Sequence, residues 1–142
     1  MRHPTTWVTT FDGAASRVFV LHGEEGRLVE IEDERRDGPH KPEFDERAGR
    51  VHESMGASRS GMSSHTDPER RMEDDFVRAH AAHLAEMAKT RAFQALIVAA
   101  GPRALGAFRK AAPKALADVV TREISGDYVN GDPAQLYAAR TQ

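Results

Sequence analysis

The 142-residue sequence predicts an α/β fold of the α+β kind, built on one mixed five-stranded sheet. Three observations predict it. The N-terminal part alternates apolar and polar residues with period two, interrupted by Asp-Gly and Gly-Glu-Glu-Gly turns. The middle carries a proline-led segment whose apolar residues recur at helical spacing. A short apolar run, Ala95 to Ala100, is followed at once by Gly101-Pro102, as when a buried strand feeds a helix.

The elements follow in order. Thr5 to Asp12 is β-branched and aromatic, with Trp7, Thr9 and Phe11 on one face and Val8 and Thr10 on the other. Asp12-Gly13 is a turn signal. Ala15 to Gly23 sets Val18, Val20 and His22 against Phe19 and Leu21, and Gly23 to Gly26 turns the chain again. Arg27 to Arg36 alternates Leu28, Glu30 and Glu32 with Val29 and Ile31. It reads as a half-exposed edge strand, whose exposed charges at Glu30, Glu32 and Glu34 discourage unwanted pairing.

A long flexible loop is expected at about residues 37–66, rich in glycine, serine and charge, with no sustained period. Thr66 or Asp67 can cap the next helix, Pro68 suits its first turn, and Thr66-x-x-Glu69 matches a capping box. Met72, Phe76, His80, His83 and Met87 form its expected apolar stripe, flanked by Leu84, with Asp74, Arg78 and Lys89 towards water. Ala92 to Gly101 reads as a strand buried on both faces, and a second helix begins at Pro102. Ala117 to Gly126 supplies the last strand, and Asp132 caps a closing helix. The order β-β-β-α-β-α-β-α is that of ribonuclease-H-like folds, in a single domain over 1–142.

Composition narrows the function. Lys and Arg number 20 against 22 Asp and Glu, so nucleic-acid binding would need a local cationic patch. There are no cysteines, hence no disulfides or thiolate metal sites. The first residues show no apolar signal-peptide core, and Ala95 to Ala100 is far too short to span a membrane. The expected location is the cytoplasm, with no membrane partner; oligomeric state is not specified.

Three stretches carry a family resemblance: TWVTTFDGAASRVFVL from Thr6, HTDPERRMEDDFVRAHAAHL from His65, and ALIVAAGPRALGAFRKA from Ala95. Together they resemble the bacterial host-attachment protein family. That family is similar to the middle domain of the class-one peptide release factors of archaea and eukaryotes, which implies a release-factor-middle-domain-like fold. In release factors the segment between the third strand and the long helix carries a Gly-Gly-Gln tripeptide that promotes release of the nascent chain. Here the corresponding segment holds no glutamine, and Gly56 and Gly61 stand alone. The resemblance therefore carries no peptide-release residue onto this chain. The family name implies a role in attachment to host cells, direct or indirect.

Candidate sites follow from residue type. Between residues 45 and 71 lie Arg47, Arg50, Arg59, Arg70 and Arg71 with His52 and His65, balanced by Asp45, Glu46, Glu53, Asp67 and Glu69. Clustered arginines could hold phosphates. Arg103, at a helix start after a buried strand, could add a charged fork to free amides, with Arg109 further along. His80 and His83, three apart, could ligate a divalent metal, but a site needs three or four ligands; two hydrogen-bonded helix histidines are the simpler expectation. No cofactor is expected.

The leading expectation is a non-enzymatic binding module acting on the ribosome or RNA. One alternative is a metal-dependent hydrolase or nuclease using Asp12, Asp74 or Asp75 with the histidine pair. Another is a regulatory module with a protein partner, influencing attachment to host cells.

Overall fold

The computed structural model describes residues 4–38 and 68–140. Strands β1 (Thr6–Phe11), β2 (Ala15–His22) and β3 (Arg27–Glu30) form an antiparallel meander. A 3-10 turn (Glu32–Glu34) and a two-residue strand β4 (Arg36–Asp37) follow, and then helix α1 (Pro68–Lys89). The chain continues through β5 (Ala95–Ala100), α2 (Pro102–Ala111), α3 (Lys114–Ala117), β6 (Val120–Ser125) and α4 (Pro133–Ala139).

The sheet runs β3-β2-β1-β5-β6, and β4 also pairs with β2. β1 is antiparallel to β2 and parallel to β5, with Thr9 opposite Val18 on one side and Val98 on the other. β1 and β5 are the central strands and are nearly wholly buried, as expected for β5. Alternation divides their side chains between two cores. Trp7, Phe11, Leu96 and Val98 pack under α1, α2 and α3, with Leu84, Phe108 and Leu116. Val8, Phe19, Ile97 and Ile124 pack under α4, with Leu136. The last helix is capped as its sequence predicts, Asp132 accepting from the Ala134 amide at 2.9 Å.

Four expectations are corrected. The strand expected over Arg27 to Arg36 ends at Glu30. Ile31 donates its amide to Val18 at 2.8 Å and packs against the core, the 3-10 turn displaces the chain, and Arg36–Asp37 rejoin β2 at Ser16 and Ala15. Among the described residues the sheet thus has six strands rather than the expected five. The charges at Glu30 and Glu34 are not left to solvent: Glu30 is gripped by Arg17 and Glu34 by His83, with side chains 16% and 12% exposed.

The apolar stripe of α1 is rotated from the expected one. Its buried face is Val77, His80, Ala81, Leu84 and Ala85, while Met72 is 40% exposed. The sequence reading weighted large side chains, but small alanines let the helix lie close to the sheet. Finally, the helix begun at Pro102 breaks at Ala112, which is extended (φ −70°, ψ 124°) before Pro113. A residue preceding proline is pushed out of the helical region, and proline has no amide hydrogen for the ladder.

The loop expected at 37–66 lies outside the described residues apart from Asp37 and Gly38, as do the proposed caps Thr66 and Asp67. Close approach explains one glycine on the described side. A Cβ on Gly13 would lie 2.5 Å from both Cβ and Cγ of Glu73. Gly13→Ala should therefore push the β1–β2 turn off α1 and cost about 1–3 kcal/mol. Denaturant melts check this, and an unchanged midpoint would contradict the contact.

Candidate functional site: a cleft at the carboxyl ends of the central strands

Open sheets with parallel strands commonly present ligand sites beyond their strand carboxyl ends. Here β1 and β5 end at Phe11 and Ala100, and a cleft of about 390 Å³ opens beyond them. Asp12, Gly13, Glu73, Gly101, Arg103 and Asp127 are among its lining residues.

Asp12, Glu73 and Arg103 each have a definite engagement. Asp12 Oδ1 accepts from the Ala14 and Ala15 amides at 2.7 and 2.9 Å, which closes the turn. Arg103 donates to Glu73 at 2.7 Å and Asp74 at 3.0 Å, and to the Arg70 carbonyl at 3.4 Å. All three side chains of this fork are more than a third exposed, so it contributes little to stability and tethers α2 to the start of α1. Gly101 precedes α2 without a side-chain cap.

The same rim holds described residues on either side of 39–67. Ala14, a cleft residue, accepts from the Gly38 amide at 2.6 Å. On the return side, Arg103 holds Arg70 in the first turn of α1. Arg70 and Arg71 are exposed, and neither side chain has a partner among the described residues.

The remaining candidates fall elsewhere. Arg47, Arg50, His52, Arg59 and His65 lie outside the described residues. Arg109 does not join Arg103: it is paired with Glu123 on β6 at 2.6 Å, beside a groove of about 470 Å³ lined by Phe108, Ala112 and Val120.

The two histidines serve different neighbours. His80 is 2% exposed, and its Nε2 lies 2.8 Å from Thr9 Oγ1. The Thr9 hydroxyl donates to the Arg17 carbonyl at 2.9 Å, so Nε2 carries the ring hydrogen and donates to Thr9. Burial, reinforced by His83 and Arg36, pushes the His80 pKa down to about 3. His83 contacts Glu34 at 2.6 Å and Arg36 at 3.1 Å. Asp75 pairs with Arg78 and Glu86 with Lys89. Among the described residues no three histidine, aspartate or glutamate side chains converge as a metal site.

Glu73 and Asp127 were not singled out as cleft residues by sequence reasoning. For Asp127 a signal existed, since it follows Gly126 directly after the last strand, at the same end of the sheet as Asp12.

This architecture is that of a release-factor domain: the crystal structure of archaeal translation termination factor aRF1 matches 94% of this chain at a TM-score of 0.51 and 14% identity. The match spans 37% of that longer chain, and at this identity it establishes the fold alone. Family membership comes from the sequence. Residues 7–139 match the family described as "Protein required for attachment to host cells", and the chain belongs to that family. No curated protein matches it. No helix among the described residues is long and apolar enough to cross a membrane.

Proposed function

We propose that this protein is a non-catalytic binding module for the ribosome or another structured RNA, engaged through the rim of the cleft. One observation carries the reading: Gly38 and Arg70, on either side of residues 39–67, are bound by the cleft residues Ala14 and Arg103, and the Arg70 and Arg71 side chains at the start of α1 are exposed without partners among the described residues. Residues 45–71 bring five arginines and two histidines to this part of the chain. Such cations bind phosphates largely through release of condensed counterions. The fold is shared with a translation termination factor, which supports a ribosomal partner. The absence of Gly-Gly-Gln from the sequence makes binding without peptide release the form this takes.

The test is sedimentation with purified ribosomes at low and moderate salt. Co-pelleting should be strong at low salt and weaker at moderate salt. Absence from the pellet at both salts removes the proposal. Recovery in pull-downs of a protein partner, with no ribosomal component, would instead favour a regulatory role in attachment.

A further inference from the structure

His83 stands between α1 and the segment running from the 3-10 turn into β4, and both its ring nitrogens are used. Arg36 Nη2 lies 3.1 Å from Nδ1, and Glu34 Oε1 lies 2.6 Å from Nε2. A guanidinium offers only donors, so Nδ1 must accept. Nε2 then carries the hydrogen and donates to the Glu34 carboxylate. The two contacts thus select one tautomer of the ring, whose side chain is 23% exposed and within reach of solvent.

Among the described residues the charged and titratable groups around it are few. Glu34 faces it from the 3-10 turn and Arg36 from β4. On α1 itself, His80 lies one turn earlier and is kept neutral by burial, while Glu86 one turn later is engaged by Lys89.

We propose that His83 is a proton-operated link between α1 and β4. A proton added at Nδ1 would set an N–H against the N–H of Arg36. Two donors and two positive charges then meet where one hydrogen bond had been, so Arg36 is expelled. The opposite contact becomes an ion pair, because the imidazolium still donates from Nε2 to Glu34. One bond is lost and the other is strengthened, so His83 stays on Glu34 while Arg36 is released.

The location gives this exchange its consequence. Arg36 is one of the two residues of β4, paired to Ser16, and two residues later the Gly38 amide is bound to Ala14 at the cleft rim. Protonation therefore acts at the point where the chain leaves the described sheet, and it frees a guanidinium there. The link stands independently of what the rim binds.

An NMR titration of the full chain from pH 8 to 5.5 tests it, since His80 stays neutral throughout this range. The His83 ring signal should titrate as a single proton. The Arg36 Nε and Gly38 amide signals should shift along the same curve with the same midpoint. In His83→Gln the carboxamide can still donate to Glu34 and accept from Arg36 but cannot titrate, so the coupled shifts should vanish while the spectrum at pH 8 is retained. Arg36 and Gly38 signals that stay flat through the His83 midpoint would overturn the proposal. So would shifts that persist undiminished in His83→Gln.

Discussion

Acidification from about pH 6.5 downward should destabilise this protein steeply, and His80 should account for a distinct share of the loss. In the native state the ring is buried between Phe11 and Thr9 and its pKa is pushed down to about 3, whereas the unfolded chain protonates it near 6.5. Between these values the unfolded state binds the extra proton, so stability falls as pH falls. The stabilising contribution is complete above 6.5 and declines by about 1.4 kcal/mol per pH unit below it. Against a total of about 5–15 kcal/mol, two units are a large fraction. Urea melts at pH 7.5, 6.5, 5.5 and 4.5 on the wild type and His80→Met isolate the effect. The variant is expected to be weaker at pH 7.5, because Thr9 loses its donor, but flatter towards acid. Parallel pH profiles for the two proteins would contradict the assignment.

Arg17→Ala is expected to be the most damaging charge deletion. The Arg17 side chain is 11% exposed and grips Glu30 with two bonds, at 2.9 and 3.1 Å. Its remaining nitrogen donates to the Val129 and Gly131 carbonyls at 3.0 and 3.2 Å, and the guanidinium sits 5.1 Å above the Phe19 ring. One side chain thus ties β2, β3 and the β6–α4 connection together. Its removal leaves Glu30, among the described residues, with a 3.9 Å contact to Arg35, and leaves two carbonyls without this donor. Removing one member of a largely buried pair costs about 3–5 kcal/mol. Removing Glu30 as well should restore part of that loss, so the double variant should be more stable than the sum of the single losses predicts. Strict additivity would show that the pair is not coupled.

Glu30 also has its own pH window. The Arg17 hydrogen bond, opposed by burial but helped by the charges of Arg17 and Arg35, holds its carboxyl below the ordinary value of 4.5. Its contribution is present above that value and is lost as pH falls through the lowered one. The decline therefore begins about two units below the onset due to His80, and the two effects can be separated in one pH series.

Most of the frame was legible in the sequence because its signals are local. Period two fixed the faces of Trp7, Thr9 and Phe11, and Asp12-Gly13 and Asp132-Pro133 marked a turn and a helix start through their own backbone chemistry. The errors arose where long-range packing decided. Nothing near Glu30 or Glu34 announces that Arg17 and His83 will reach them, so both looked like solvent-facing edge charges. The α1 stripe was displaced because the alanines at 81 and 85 bury well without looking apolar enough to anchor a helix.

The candidate site was only partly legible. Gly101-Pro102-Arg103 correctly marked a helix opening at the strand ends. That Arg103 would be held by Glu73 and Asp74, 30 and 29 residues away in sequence, could not be read from its neighbours. Nor could the separation of Arg109, which Glu123 draws to β6.

Site-specific photo-crosslinking to purified ribosomes tests the central claim most directly. A crosslinker replacing Arg71 lies at the start of α1, next to the Arg70 carbonyl that the cleft residue Arg103 binds, whereas one replacing Glu24 lies in the β2–β3 turn at the opposite end of the sheet. Crosslinks to ribosomal RNA from position 71, with few or none from position 24, are the predicted result. Equal yields from both positions, or crosslinks from position 71 only to non-ribosomal proteins, would contradict it.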